Sequence, residues 1–224
     1  MARPESETTV RALLDEAGRT YAEQAGIHLK DTPQPLYQLL VLAHLLSARI
    51  RADTAVAAAR ALFEAGMRDA RHMRDATWQQ RVDALGEGGY RRYDERTSTQ
   101  LGKAAELVVD TYGGDLRRLH DKAGGDVDEL RALLQEVPGI GPAGADIFLR
   151  EVQGVWPEPA PYLDDKTLDG AERLGLPADR EELAGLVGKE ELPALAAALV
   201  RAALDKHVVD EVHEKVSETQ GGSG

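Results

Sequence analysis

The 224-residue chain has no cysteine, few aromatic residues (4%) and no excess of positive charge, and each absence narrows its function. Without cysteine there is no disulfide, no thiol nucleophile and no cysteine-bound cluster. No apolar run approaches the length of a membrane span, and the N-terminus lacks the basic-then-apolar order of a secretory signal. A soluble, cytoplasmic protein with no membrane partner is expected. No internal repeat is evident. The formal charge of -12 argues against a general nucleic-acid coat, because phosphate neutralisation supplies most non-specific affinity.

The length permits one large or two small domains with a proper core. Ala/Leu-rich stretches of helical period recur, so the expected fold class is all-α. Helices are expected over Ser6–Gly26, Leu36–Ala48, Thr54–Ala65 (with Asp53 or Thr54 as N-cap), Asp69–Met73, Thr77–Leu85, Thr97–Tyr112 and Leu116–Ala123. Beyond the middle of the chain they are expected over Asp128–Gln135, Pro142–Val152, Leu163–Leu174, Glu181–Val187 and Leu192–Val209. Pro157, Pro159 and Pro161 make Val155–Pro161 a stiff extended link. The charge is unevenly spread: residues 36–122 carry fourteen basic and twelve acidic side chains, residues 123–224 nine and twenty-one. A basic face in the middle would give modest, salt-sensitive DNA affinity.

The most informative stretch is Val137-Pro138-Gly139-Ile140-Gly141-Pro142-Ala143-Gly144, between two expected helices, with Asp164-Asp165 about twenty residues on. Pro142 suits a first helical turn, where the amide it lacks would have no partner. Both glycines tolerate the positive φ of a sharp reversal, and Ile140 can plug it. Backbone N–H groups at such a helix start favour an anion, and a DNA phosphate is the natural candidate.

This pattern resembles the helix-hairpin-helix (HhH-GPD) DNA glycosylase superfamily typified by endonuclease III, in which an apolar-Pro-Gly-apolar-Gly hairpin precedes an essential aspartate. Leu45-Leu46-Ser47-Ala48-Arg49 is similar to the family's Leu-Leu-Ser-Ala-Gln segment, and the resemblance covers roughly Leu36 to Leu174. It implies a central helical domain over 32–154, with the helix-hairpin-helix at about 128–152. Residues 1–31 and 155–218 would form a second helical domain, with the active cleft between the two and 219–224 a disordered tail. The partner implied is double-stranded DNA carrying a lesion or mismatch, bound by a monomer. Gly139, Ile140, Gly141, Ala143 and Gly144 would meet the backbone, together with Ser47 and Arg49, the latter able to fill the gap left by a flipped base. His44, Tyr162 and Trp156 are candidates for the base pocket, the last two because they flank the aspartates.

Cleaving a base from its sugar builds positive oxocarbenium character, which a carboxylate beside the anomeric carbon stabilises. Asp165 is placed ahead of Asp164 in this role, since Leu168 and Ala171 follow it at the family's apolar spacing. Relatives acting on alkylated bases also carry a doubled Asp of which the second is catalytic. Either residue also reads as a plain N-cap. Many members of the family bind an iron–sulfur cluster on four cysteines, which this chain lacks. Bifunctional members place a nucleophilic lysine where Ala143 stands, so the resemblance implies a monofunctional enzyme that hydrolyses with water, needs no metal or other cofactor and leaves the strand intact. Lys166 is the alternative amine. The separation from hairpin to aspartate is a few residues longer than in endonuclease III. A different class of function, a non-catalytic helix-hairpin-helix module binding DNA or protein, fits the acidic balance.

Other motifs carry less. Gly139 to Gly144 also spells G-x-G-x-x-G, but it follows a helical pattern rather than a strand. The six histidines show no metal-ligand spacing. Arg91-Arg92 and Arg117-Arg118 read as phosphate contacts or ordinary solvated pairs, and Tyr37, Trp78, Tyr90 and Tyr93 as packing or stacking residues.

Overall fold

In a computed structural model, residues 3–221 are described, and among them the secondary structure is helical with no strand. The elements are α1 (Arg3–Ala17), α2 (Tyr21–Gln24), α3 (Pro33–Leu46), α4 (Ala52–Glu64), α5 (Ala70–Asp75), α6 (Trp78–Glu87) and α7 (Asp94–Tyr112). They continue with α8 (Arg117–Ala123), α9 (Val127–Gln135), α10 (Pro142–Val152), α11 (Asp165–Arg173), α12 (Arg180–Ala184), a short 3-10 turn, α13 (Leu192–Leu204) and α14 (Lys206–Gly221). The chain divides into a middle unit, Tyr21–Glu158, and an end unit made of residues up to Thr20 and from Pro159 onward.

These boundaries lie outside the expected 32–154, for reasons visible in hydrogen bonds. The buried Glu151 carboxylate accepts the amides of Tyr21 and Ala22 at 3.0 Å each, tying α2 into the middle unit. The Trp156 indole N–H donates to Asp31 at 2.9 Å, bringing both residues into the same unit. The helix expected over Ser6–Gly26 is accordingly two helices. The break falls at Gly18, where a Cβ would stand 2.4 Å from the Leu14 carbonyl oxygen.

The middle unit is built around α3, whose residues Leu36, Tyr37, Leu39, Leu42 and Leu45 are all buried. Against α3 pack α4 and α10; α6 bridges α4 to α7, and α9 joins α8 to α10. Buried Arg81 on α6 donates to the carbonyls of Met73, Ala76 and Ser98 at 2.7–3.0 Å, so one guanidinium ties together the ends of α5, α6 and the start of α7. The N-terminus of α4 differs from expectation: its cap position is Arg51, with no side-chain cap bond, so neither Asp53 nor Thr54 caps it.

In the end unit α13 is central, contacting α1, α11 and α14 through Leu13, Ala171, Leu195, Leu199 and Val212. Burying each leucine side chain contributes about 1.5–3 kcal/mol. The helix expected over Leu192–Val209 breaks at Asp205, which is extended (φ -129, ψ 114) and whose carboxylate accepts the His207 amide. The second piece, α14, packs on α1 and is held there by an ion pair between Lys215 and Glu16. This packing carries helix through residues 219–221, which were expected to begin a disordered tail; residues 222–224 lie outside those described.

Candidate functional site

The candidate residues fall into two clusters, one in each unit. In the middle unit, α9 is capped by Asp126, which accepts the amides of Asp128 and Glu129, and the chain then reverses into α10. Only Gly139 takes a positive φ (+88); Gly141 is extended (φ -93, ψ -171), so the reversal requires one left-handed residue rather than two. The Ile140 amide closes the turn on the Val137 carbonyl at 3.0 Å, and its side chain is buried. A bidentate pair, Arg131 to Asp146 at 2.7 and 3.2 Å, clamps the two helices of the hairpin together.

Gly141 is the N-cap of α10 and Pro142 its first residue, with no side-chain cap bond and no acidic residue in the first turn. The first turn of a helix offers its amides no intrahelical acceptor, and Gly141 and Ala143 are exposed. An anion is the group these N–H dipoles favour. Gly144, by contrast, is buried, with Ile140 and the Ser47 side chain within 3.4–3.7 Å of where its Cβ would be. Its role is close packing of α10 on the end of α3.

The same packing joins the two sequence motifs. A Cβ on Gly139 would stand 2.3 Å from His44 Cε1, so the hairpin rests on the His44 ring and no larger residue fits. Ser47 caps α3 and donates its hydroxyl to the His44 carbonyl at 2.7 Å. Next to this contact lies a cavity of about 310 Å³, and none of its lining residues is acidic. His44, Ser47, Arg49 and Gly139 line it from the motifs, and Tyr93, Arg96 and Gln100 from the start of α7. Burial pushes the His44 imidazole down to about 4, with Arg96 acting in the same direction and the 3.2 Å hydrogen bond to Gln100 opposing it. His44 is therefore neutral at pH 7. Arg49 and Arg96 are exposed at the mouth, and the Arg92 guanidinium lies over the Tyr93 ring at 5.2 Å.

Arg96 and Gln100 were missed by sequence reasoning. Their i, i+4 spacing puts them on one face of α7, but only the packing of α7 by Arg81 shows which surface that face adjoins.

Trp156 is not a pocket residue. It is buried at 1% exposure, stacks on His120 with centroids 4.2 Å apart, leans on Phe148 and spends its N–H on Asp31, so no face is left for a base. Tyr162 is half-buried in the end unit, two residues before Asp164.

In the end unit the paired aspartates open α11, and their environments differ. Asp164 is the half-buried N-cap: its carboxylate accepts the Thr167 amide at 3.2 Å, and its carbonyl accepts the Thr167 hydroxyl at 2.6 Å. Asp165 is the first helical residue, with its side chain 96% exposed and in an ion pair with Arg180 at 2.7 Å. Farther along the helix a Cβ on Gly170 would meet the Leu199 carbonyl oxygen at 1.9 Å, so α11 lies directly against α13. Lys166 reaches Asp169 at 3.2 Å on the surface.

No protein-family profile matches the chain, and no curated protein shows significant similarity to it. Among solved structures it is similar to a non-covalent endonuclease III–DNA complex, with a TM-score of 0.51 and 19% identity over 90% of this chain and 85% of that one. It is also similar to a trapped endonuclease III–DNA covalent intermediate, an estranged-adenine complex, with a TM-score of 0.48 and 20% identity over the same shares. The first of these likenesses shows that this chain has an endonuclease III-like fold.

Proposed function

We propose that the protein is a monofunctional DNA glycosylase of the helix-hairpin-helix superfamily, hydrolysing the N-glycosidic bond of a damaged or mispaired base in duplex DNA. The observation that carries the reading is the seating of the hairpin on the end of α3. There Gly139 meets His44 and Gly144 meets Ser47, joining two distant sequence motifs beside a cavity whose charged lining residues are arginines. The endonuclease III-like fold agrees with it.

The amides of Gly141 and Ala143 bind a backbone phosphate, supported by the α10 dipole. Arg49 occupies the space that the flipped nucleotide leaves in the stack. As the bond between C1′ and the base nitrogen breaks, its electron pair leaves with the base and positive charge grows on the sugar. A carboxylate stabilises that charge. Water then attacks C1′ and loses a proton, and the product is an abasic site.

Of the two aspartates we assign the electrostatic role to Asp164, reversing the order that apolar spacing suggests. Its orientation is set by the helix amide it caps. Asp165 is drawn out to Arg180 at the surface. Ala143 offers no amine, so no Schiff base forms and the phosphodiester backbone survives.

The test is a panel of duplexes bearing single alkylated, oxidised, deaminated or mispaired bases, incubated with and without alkali. Strand breaks should appear only after alkali. Scission without alkali removes the monofunctional claim. Binding with no base release favours the non-catalytic module, which the net charge of -12 supports.

A further inference from the structure

Arg180 holds the turn that contains Asp164 on both of its sides. Its Nε donates to the carbonyl of Leu163, the preceding residue, at 2.6 Å, and an Nη donates to the carboxylate of Asp165, the following one, at 2.7 Å. Its own backbone is anchored. Arg180 is the first residue of α12, whose cap Asp179 accepts the amides of Glu181 and Glu182, and Leu183 in the same short helix is fully buried. The two acceptors lie on a chain segment that Leu163 and Thr167, both buried, fasten to the core.

We propose that Arg180 is a positioning residue for catalysis: it fixes the peptide around Asp164 so that the capping carboxylate keeps one orientation. This rests on the glycosylase reading above. An ion pair with one partner 96% exposed and the other 51% exposed contributes little to stability. What the fork does contribute is geometric. Two donors on one rigid plane hold a carbonyl and a carboxylate at a fixed separation, which a lysine ammonium on a flexible stem does not reproduce. It also gives the doubled aspartate a division of labour, with Asp165 serving as the handle through which Arg180 holds its neighbour.

Two measurements on the full chain test the proposal. The first is single-turnover base release, with duplex affinity measured in parallel, for wild type, Arg180→Ala and Arg180→Lys. Arg180→Ala should slow release by roughly tenfold to a hundredfold, the cost of a misplaced reacting group, while Kd stays within about twofold. Arg180→Lys should recover only a minor part of the rate. The second, without DNA, is amide hydrogen exchange of the Thr167 N–H, which the carboxylate and the carbonyl of Asp164 both accept and which therefore reports the whole turn that Arg180 holds; it should quicken about tenfold in Arg180→Ala while amides in α13 keep their rates. Unchanged release in Arg180→Ala, full rescue by lysine, or a loss confined to Kd overturns the proposal and leaves the glycosylase reading standing. Unchanged Thr167 exchange overturns it whether or not the protein is active. Wild-type protein that releases no base from any duplex sinks the glycosylase reading itself, and the catalytic consequence falls with it.

Discussion

Helices α10 and α11 begin in opposite ways. The first starts at a glycine cap followed by proline, with no carboxylate in its opening turn. The second starts at two consecutive aspartates, one of which spends its carboxylate on the helix's own amide. Helices α9 and α12 resemble the second, since Asp126 and Asp179 cap them and acidic residues fill their first turns. A bare start is not confined to α10, since α3, α8 and α13 also open with no side-chain cap bond and no acidic residue; what marks α10 is the hairpin that precedes it and the acid-free cavity that Gly139 lines. The physics of both ends is the same, unpaired N–H groups and a positive dipole end. One end leaves that field for an outside anion, and the other uses it to orient an anion of its own. We read the first as the grip on DNA and the second as the source of the catalytic charge.

Two glycines break the comparison most severely. Gly139→Ala puts a methyl at positive φ and 2.3 Å from the His44 ring, and should cost roughly 2–4 kcal/mol in denaturant unfolding, with duplex binding lost in step. Gly170→Ala meets a backbone carbonyl at 1.9 Å and should cost a similar amount, but its functional loss should appear in base release rather than in binding. Native-like stability in the first variant would contradict the hairpin's seating on α3.

The pH dependence of stability sharpens the role of the seat. His44 binds its proton near pH 4 when folded and near its ordinary 6.5 when unfolded, so the unfolded chain holds more protons between those values. Stability should be full above pH 6.5 and fall towards pH 4, by up to about 3 kcal/mol from this group. Denaturant titrations of wild type and His44→Gln at pH 7 and 4.5 should differ in slope against pH, and identical slopes would show that His44 is not the group concerned. Smallest are the arginines at the cavity mouth. Arg49→Ala and Arg96→Ala should each weaken duplex binding by roughly threefold to tenfold and lower the salt-dependence slope by about one. Unchanged salt slopes would remove the cavity from the DNA-binding face.

The sequence made these regions legible to different degrees, and locality explains why. The limits of α10 were readable because Pro142 and the glycines act within a few residues, and a reversal is found where they predict it, though with one left-handed glycine rather than two. The split of the first helix was not, because the capping partner of Tyr21 and Ala22 is Glu151, which lies far along the chain. Trp156 looked like a pocket residue from its place near the aspartates, but its partners Asp31 and His120 come from other segments. The doubled aspartate was visible, yet which one caps depends on where the helix turns start. Apolar spacing favoured Asp165, while the backbone makes Asp164 the cap. Arg96, Gln100 and Arg180 left little trace in the sequence because their significance lies in what faces them.

The most direct measurement is single-turnover release of free base from the duplex that the lesion panel identifies, with affinity for the same duplex, in wild type, Asp164→Asn and Asp165→Asn. Asparagine still caps a helix, so Asp164→Asn removes the charge while keeping the turn. The account predicts a loss of roughly 10²–10³-fold in release for Asp164→Asn, a loss below tenfold for Asp165→Asn, and little change in affinity for either. Undiminished release in Asp164→Asn, or a loss seen only in affinity, would contradict it.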